Sequence, residues 1–115
     1  MIDQITEMHK HFQIHGTPFS PEEKQFRLAA LQEELDEYRD ATTPEDELDA
    51  LVDLMVFALG TVDRQGWADV FDRAFARVMA ANMAKVVGPN QKRGGFALDL
   101  QKPEGWEAPC LKDLV

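Results

Sequence analysis

A chain of 115 residues, 44% hydrophobic and 29% charged, has the composition of one globular domain. Its formal net charge of −9 argues against nonspecific binding to nucleic acid or to anionic membrane, yet leaves room for a phosphate-bearing ligand, because a metal ion can reverse the local sign inside an acidic site. One cysteine, Cys110, excludes a disulfide framework; no secretory pattern opens the chain, and its longest apolar run, Leu54 to Leu59, is too short to span a bilayer, so a cytoplasmic protein is expected.

The first helix is expected over about Ile2 to Ile14, where Ile5, Met8 and Phe12 recur at helical spacing, with Gly16-Thr17-Pro18 ending it. Ser20-Pro21-Glu22-Glu23 opens the second, with Ser20 as N-cap, Pro21 at the first helical position and Glu23 at the capping-box position. Phe26, Leu28, Leu31, Leu35 and Tyr38 make a stripe along it, bordered by Glu34 and Glu37. Thr43-Pro44-Glu45-Asp46 is another helix start, and so short a connection makes the third helix an antiparallel neighbour of the second. After Ala50 this helix is apolar nearly all round, which calls for burial on several sides. A chain this small struggles to supply that burial alone, so a homodimer or homotetramer built on the third helix is expected. Gly60 and Gly66 are expected to loosen its end. A fourth helix is expected over about Trp67 to Val86, with Val70, Phe71, Ala74, Phe75, Val78 and Met79 as its core face. Beyond Gly88-Pro89-Asn90, glycines and prolines forbid a long helix, and Phe96-Ala97-Leu98 suits a short extended piece. The expected fold is all-α: a four-helix bundle-like, oligomeric domain over residues 1–88, with an irregular basic C-terminal tail over 89–115 packing on it.

Ten of the 21 acidic residues lie between Glu33 and Asp53, with Arg39 the single base among them. Glu34 and Glu37 stand at i, i+3; Asp49 and Asp53 stand at i, i+4 on a helix otherwise apolar from Ala50 to Leu59. Aspartate is a poor mid-helix residue, and like charges one turn apart repel. Burying such charges bare costs several kcal/mol or more each, so the pattern calls for a counter-charge. Hard oxygen donors point to magnesium or manganese rather than zinc. The competing reading is a solvated acidic face, which suits Glu33, Asp36, Glu45, Asp46 and Glu47 better than the two pairs. His9, His11 and His15 are spread around the first helix, and no cysteine–histidine cluster accompanies them, which argues against zinc. Cys110 has no activating neighbour, and Trp67 and Trp106 suit packing better than base stacking. Asn82 and Lys85, at i, i+3 near a helix end, read either as macrodipole complementarity or as a phosphate clamp.

In these residues the chain resembles the all-α nucleoside triphosphate pyrophosphohydrolases, the superfamily of MazG and phosphoribosyl-ATP pyrophosphohydrolase. The first acidic motif falls at Glu34 and Glu37, the second at Asp49 and Asp53, and the likeness extends to Asn82-Met83-Ala84-Lys85 and Lys102-Pro103-Glu104-Gly105-Trp106. The usual second motif is Glu-x-x-Asp; here Ala50 stands three before Asp53, and Asp49 is the candidate to replace the missing carboxylate. A fainter echo of Nudix hydrolases fails for want of flanking glycines. The resemblance implies hydrolysis of a nucleoside triphosphate to monophosphate and pyrophosphate, with Mg²⁺ (or Mn²⁺) held by Glu34, Glu37, Asp49 and Asp53. Glu33 or Glu37 would activate the water, and Asn82, Lys85, Arg93 and Lys102 would hold the substrate. A non-catalytic metal- or nucleotide-binding module, or a structural dimerisation protein, is the alternative.

Overall fold

The computed structural model describes all residues, Met1–Val115. Four helices dominate it: α1 (Ile2–His11), α2 (Pro21–Asp40), α3 (Pro44–Arg64) and α4 (Phe71–Met83). Two strands of two residues each, β1 (Val86–Val87) and β2 (Leu100–Gln101), pair antiparallel, Val86 with Gln101 and Val87 with Leu100. The fold is all-α, as expected, and no helix is long and apolar enough to cross a membrane. The chain divides into two compact units, Met1–Asp69 and Val70–Val115.

In the first unit both long helices begin where their caps dictate. The Ser20 hydroxyl accepts from the Glu23 amide at 3.0 Å, and the Thr43 hydroxyl accepts from the Asp46 amide at 3.1 Å. The other half of the capping box is missing, because Glu23 turns its carboxylate to Arg64 (2.7 Å) and Arg27 (3.0 Å) instead. Helix α1 stops at His11, short of the expected Ile14: Gln13 adopts a left-handed φ of 62°, and the His9 carbonyl accepts from both Ile14 and His15. Its buried face is Ile2, Ile5 and His9, while Phe12 is exposed.

The buried positions of α2 are Arg27, Ala30 and Glu34, and its apolar stripe of Phe26, Leu28, Leu35 and Tyr38 faces outward. The inward Arg27 is answered by Glu23 one turn earlier, and Glu23 in turn by Arg64 of α3, whereas Glu34 keeps one oxygen without a partner. Arg64 is 7% exposed; besides Glu23 it donates to the carbonyls of Ile14, Thr17 and Pro18, lashing the α1–α2 connection to the end of α3. Asp63, 5% exposed, accepts from His9 Nδ1 at 2.5 Å and from the Thr6 hydroxyl at 2.7 Å. Burial alone would raise the Asp63 carboxyl, but these hydrogen bonds from His9 and Thr6 outweigh it and hold it below its ordinary range. Gly60 does not loosen α3, which continues to Arg64; a Cβ there would stand 3.0 Å from Arg27 Nη1, so the glycine admits the guanidinium between the helices.

The second unit begins at the last residue of a 3-10 turn, Ala68–Val70, that precedes α4, which is shorter than expected at both ends. Past Met83 the chain leaves the helix and Val86–Val87 pairs with β2. Phe96-Ala97-Leu98 forms no strand; the extended pairing falls two residues later, at Leu100–Gln101. The tail is fastened to α4 by the Trp106 indole, which donates to the Ala81 carbonyl at 2.7 Å, and by Arg77, which grips Asp113 at 2.6 and 3.0 Å. Phe75 and Met79, expected in a core, are 55% and 41% exposed.

Candidate metal centre and active site

Helices α2 and α3 run antiparallel in one continuous register. Glu23 meets Arg64, Arg27 lies against Gly60, and further along Glu34 approaches Asp53, each step up α2 matched by an equal step back along α3. That register brings one carboxylate oxygen from each of Glu34, Glu37 and Asp53 within 4.8 Å of the other two. Glu34 is buried, Asp53 half-buried and Glu37 exposed, so the group is a pit with an open rim. One Glu34 oxygen, Oε2, is buried and has no hydrogen-bond partner. Arg39, the only base in the acidic stretch, is exposed and engaged by Asp36 and Asp40.

An unpartnered buried carboxylate oxygen beside two more carboxylates is unstable as three anions. Burial first, and then the adjoining Glu37 carboxyl and the charges of Asp53 and Glu33, push the Glu34 carboxyl up from 4.5 to about 7. Either a proton or a cation must therefore occupy this pit near neutral pH. Oxygen donors only, converging from two helices, with one oxygen left without a partner, fit a hard divalent ion. Nothing in the donor set favours zinc.

Asp49 lies outside this three-oxygen group. It lines an adjoining cleft of about 430 Å³ together with Glu33, Asp36, Glu37, Asp40, Ala41, Asp46 and Ala50. Glu37 thus belongs to both the pit and the cleft, and Ala50, 2% exposed, forms part of the wall between the helices. No lysine or arginine lines the cleft.

The basic candidates gather in the second unit. Lys85, Arg93 and Lys102 line one cleft of about 420 Å³, joined by Lys92, Asn90 and Gln101. Lys85 and Lys102 hold their ammonium groups 5.1 and 5.0 Å from the centre of the Trp106 ring, which sets both cations on one aromatic platform. Arg93 is tied to Asp99 by two bonds of 2.9 and 2.7 Å, so it is less free to take up a ligand than the lysines. Asn82 sits on α4 one turn before Lys85 and is not among the residues lining this cleft.

Sequence reasoning passed over Arg27, Asp63 and Arg64, and gave His9 no role. A signal was present: Glu23 and Arg27 are one turn apart, and Asp63-Arg64 closes an apolar helix, where two adjacent charges call for partners. What the sequence withheld was the identity of those partners, which come from α1 and from carbonyls of the 14–18 segment.

This pairing of acidic helices marks the class, an all-α pyrophosphohydrolase, and comparison with known families makes it specific. The family described as phosphoribosyl-ATP pyrophosphohydrolase matches residues 5–82, more than half of the chain, and the chain belongs to that family. It is accordingly a member of the MazG-like all-α superfamily and an enzyme of the kind that hydrolyses phosphoanhydride bonds. The matched span holds every carboxylate of the pit and the cleft and ends at Asn82, before Lys85, Arg93 and Lys102. No curated protein matches the chain.

Proposed function

We propose that this protein is a Mg²⁺-dependent nucleoside triphosphate pyrophosphohydrolase that cleaves between the α- and β-phosphates, giving a nucleoside monophosphate and pyrophosphate. The observation that carries the reading is the buried, unpartnered Glu34 Oε2 within a cluster of three carboxylates, in a chain of this family. Glu34, Glu37 and Asp53 are the ligands, with Asp49 reaching the same region from the cleft. The ion, when bound, neutralises phosphate charge and stabilises charge on the leaving oxygen.

The remaining work falls to the chain's own groups. Glu33 lines the cleft without belonging to the three-oxygen group, so its carboxylate is free to take a proton from water; Glu37 is the alternative base. As that proton moves to the carboxylate, the water oxygen bonds to the α-phosphorus, the bond from phosphorus to the bridging oxygen breaks, and pyrophosphate departs. Lys85 and Lys102, steadied on Trp106, hold phosphate oxygens, with Arg93 beside them and Asn82 hydrogen-bonding base or phosphate.

Leu48, Val52 and Met55 are 64%, 48% and 46% exposed on α3, and this apolar surface supports assembly into a dimer or tetramer. A cytoplasmic enzyme without nucleic acid or membrane as partner fits the charge of −9. The test is a panel of ribo- and deoxynucleotides incubated with Mg²⁺ and assayed for pyrophosphate against orthophosphate. Pyrophosphate from at least one of them is expected. Orthophosphate as the first product, or unchanged turnover in Asp53→Asn, overturns the proposal.

A further inference from the structure

Two lysines of the second unit stand together with no acid to answer them. Val86 pairs with Gln101 and Val87 with Leu100, so one step outside the paired residues Lys85 comes opposite Lys102. Like charges directly across an antiparallel pair destabilise it. Neither lysine is neutralised, since Lys10 is the one lysine of the chain in an ion pair. Both ammonium groups are held instead at the Trp106 ring, 5.1 and 5.0 Å from its centre, and the indole N–H is anchored on the Ala81 carbonyl at 2.7 Å. A ring attracts a cation only weakly, so it fixes where the two charges sit and leaves them available.

The cleft that these lysines line carries Lys92 and Arg93 as well, and no carboxylate. Arg93 is occupied by Asp99, which leaves three ammonium groups facing about 420 Å³ of space. Gly88 makes the hairpin possible, because a Cβ there would stand 2.6 Å from the Cδ of Gln101, whose amide donates to the Pro89 carbonyl at 2.5 Å. No aromatic ring lines the cleft, so it offers a nucleobase no stacking partner; what it presents is positive charge. All of it lies beyond the residues that the family matches, 5–82.

We propose that this cleft is a metal-independent site for a diphosphate group, with Trp106 as the residue that positions Lys85 and Lys102 for it. One phosphate answers one ammonium group; two linked phosphates answer both, which separates a diphosphate from a nucleoside monophosphate. Inorganic pyrophosphate and the terminal phosphates of a nucleoside triphosphate share that group, so the cleft reads the leaving group and is indifferent to the nucleoside. The inference rests on these lysines serving the substrate, as proposed above, but it is read by binding without metal and that reading by turnover with it.

Isothermal titration calorimetry of the full chain in EDTA at low salt tests it, because without metal the acidic cleft repels phosphates and the basic one does not. Pyrophosphate and ATP are expected to bind one per chain with affinities within roughly 5-fold of each other, and AMP and orthophosphate at least ~10-fold more weakly. Lys85→Gln and Lys102→Gln should each weaken pyrophosphate by at least ~10-fold. Trp106→Leu, which removes no charge, should weaken it by roughly 3- to 10-fold, and Trp106→Phe, which keeps a ring, should restore most of that loss. No binding of pyrophosphate in EDTA, AMP binding as tightly as pyrophosphate, or unchanged affinity in Lys102→Gln overturns the inference; pyrophosphate release with Mg²⁺ would still leave the proposed reaction standing. Orthophosphate as the product, with pyrophosphate binding in EDTA intact, overturns that reaction instead. Unaltered affinity in Trp106→Leu refutes the positioning role; should that variant not fold, Trp106→Phe bound as weakly as Lys102→Gln refutes it.

Discussion

The two ends of the α2–α3 pair handle inward-facing charge in opposite ways. Toward the start of α2, Glu23, Arg27, Arg64, Asp63 and His9 are enclosed, and each charge has an opposite within hydrogen-bonding reach or is capped by carbonyls. Toward its other end, Glu34, Glu37 and Asp53 crowd together with no base to answer them. The same register serves both ends, so the difference lies in the side chains alone. Hydrogen bonding to Arg64 draws the Glu23 carboxyl down to about 2, whereas burial lifts that of Glu34 to about 7. Charge that a fold compensates internally holds helices together; charge that it leaves uncompensated waits for something from solution.

The contrast can be broken at several points. Asp53→Asn or Glu37→Gln should lower turnover by at least ~100-fold, given that even outer partners of metal ligands are worth 10- to 100-fold, with the helical circular dichroism unchanged. Arg64→Met should act at the other end by lowering stability by about 3–5 kcal/mol in urea unfolding, since it takes from Glu23 the shorter of its two ion pairs and from the carbonyls of Ile14, Thr17 and Pro18 their donor. A loss below about 1 kcal/mol would mean that this end is no better compensated than a surface pair.

The third prediction is a pH signature. Folded Glu34 keeps its proton between 4.5 and about 7, where the unfolded chain has lost it, so its contribution to stability is full at low pH and fades as pH climbs through about 7. Without divalent ions, Glu34→Gln should therefore be more stable than the unaltered chain at high pH, and Mg²⁺ should no longer raise its melting temperature. An unaltered Mg²⁺ response in that variant would remove Glu34 from the ligand set. The smallest effect is expected from Lys102→Gln: a KM for nucleotide raised roughly 3- to 10-fold with kcat little changed, and a weaker dependence of KM on salt.

Much of this was legible in the sequence because it is local. Ser20-Pro21 and Thr43-Pro44 fix the helix starts through their own backbone chemistry, and the short link between α2 and α3 brings Glu34 and Glu37 near Asp53 without knowledge of the rest. The place of Asp49 was harder, since a helical step of about 100° separates it from the Ala50 face, and only the register shows which of the two looks into the pit. The inward face of α2 was illegible. Hydrophobic periodicity points to Phe26, Leu28 and Leu35, yet Arg27 and Glu34 are the buried ones: Arg27 pairs with Glu23 and fits against Gly60 of α3, and the register sets Glu34 against Asp53. In the tail, Val86–Val87 finds β2 across a turn of a dozen residues whose pairing no nearby signal announces.

Arg64 spans the carbonyls of Ile14, Thr17 and Pro18 like a staple through a fold of paper. Exposed connections between helices are where proteases usually cut first, because the strand must peel away to enter their active sites. Here one guanidinium holds down three peptide groups of such a connection, so the link between α1 and α2, which offers thermolysin Ile14 and Phe19, should resist that protease despite its exposure. Limited digestion would then find its first cut elsewhere, and Arg64→Met would move it to this stretch.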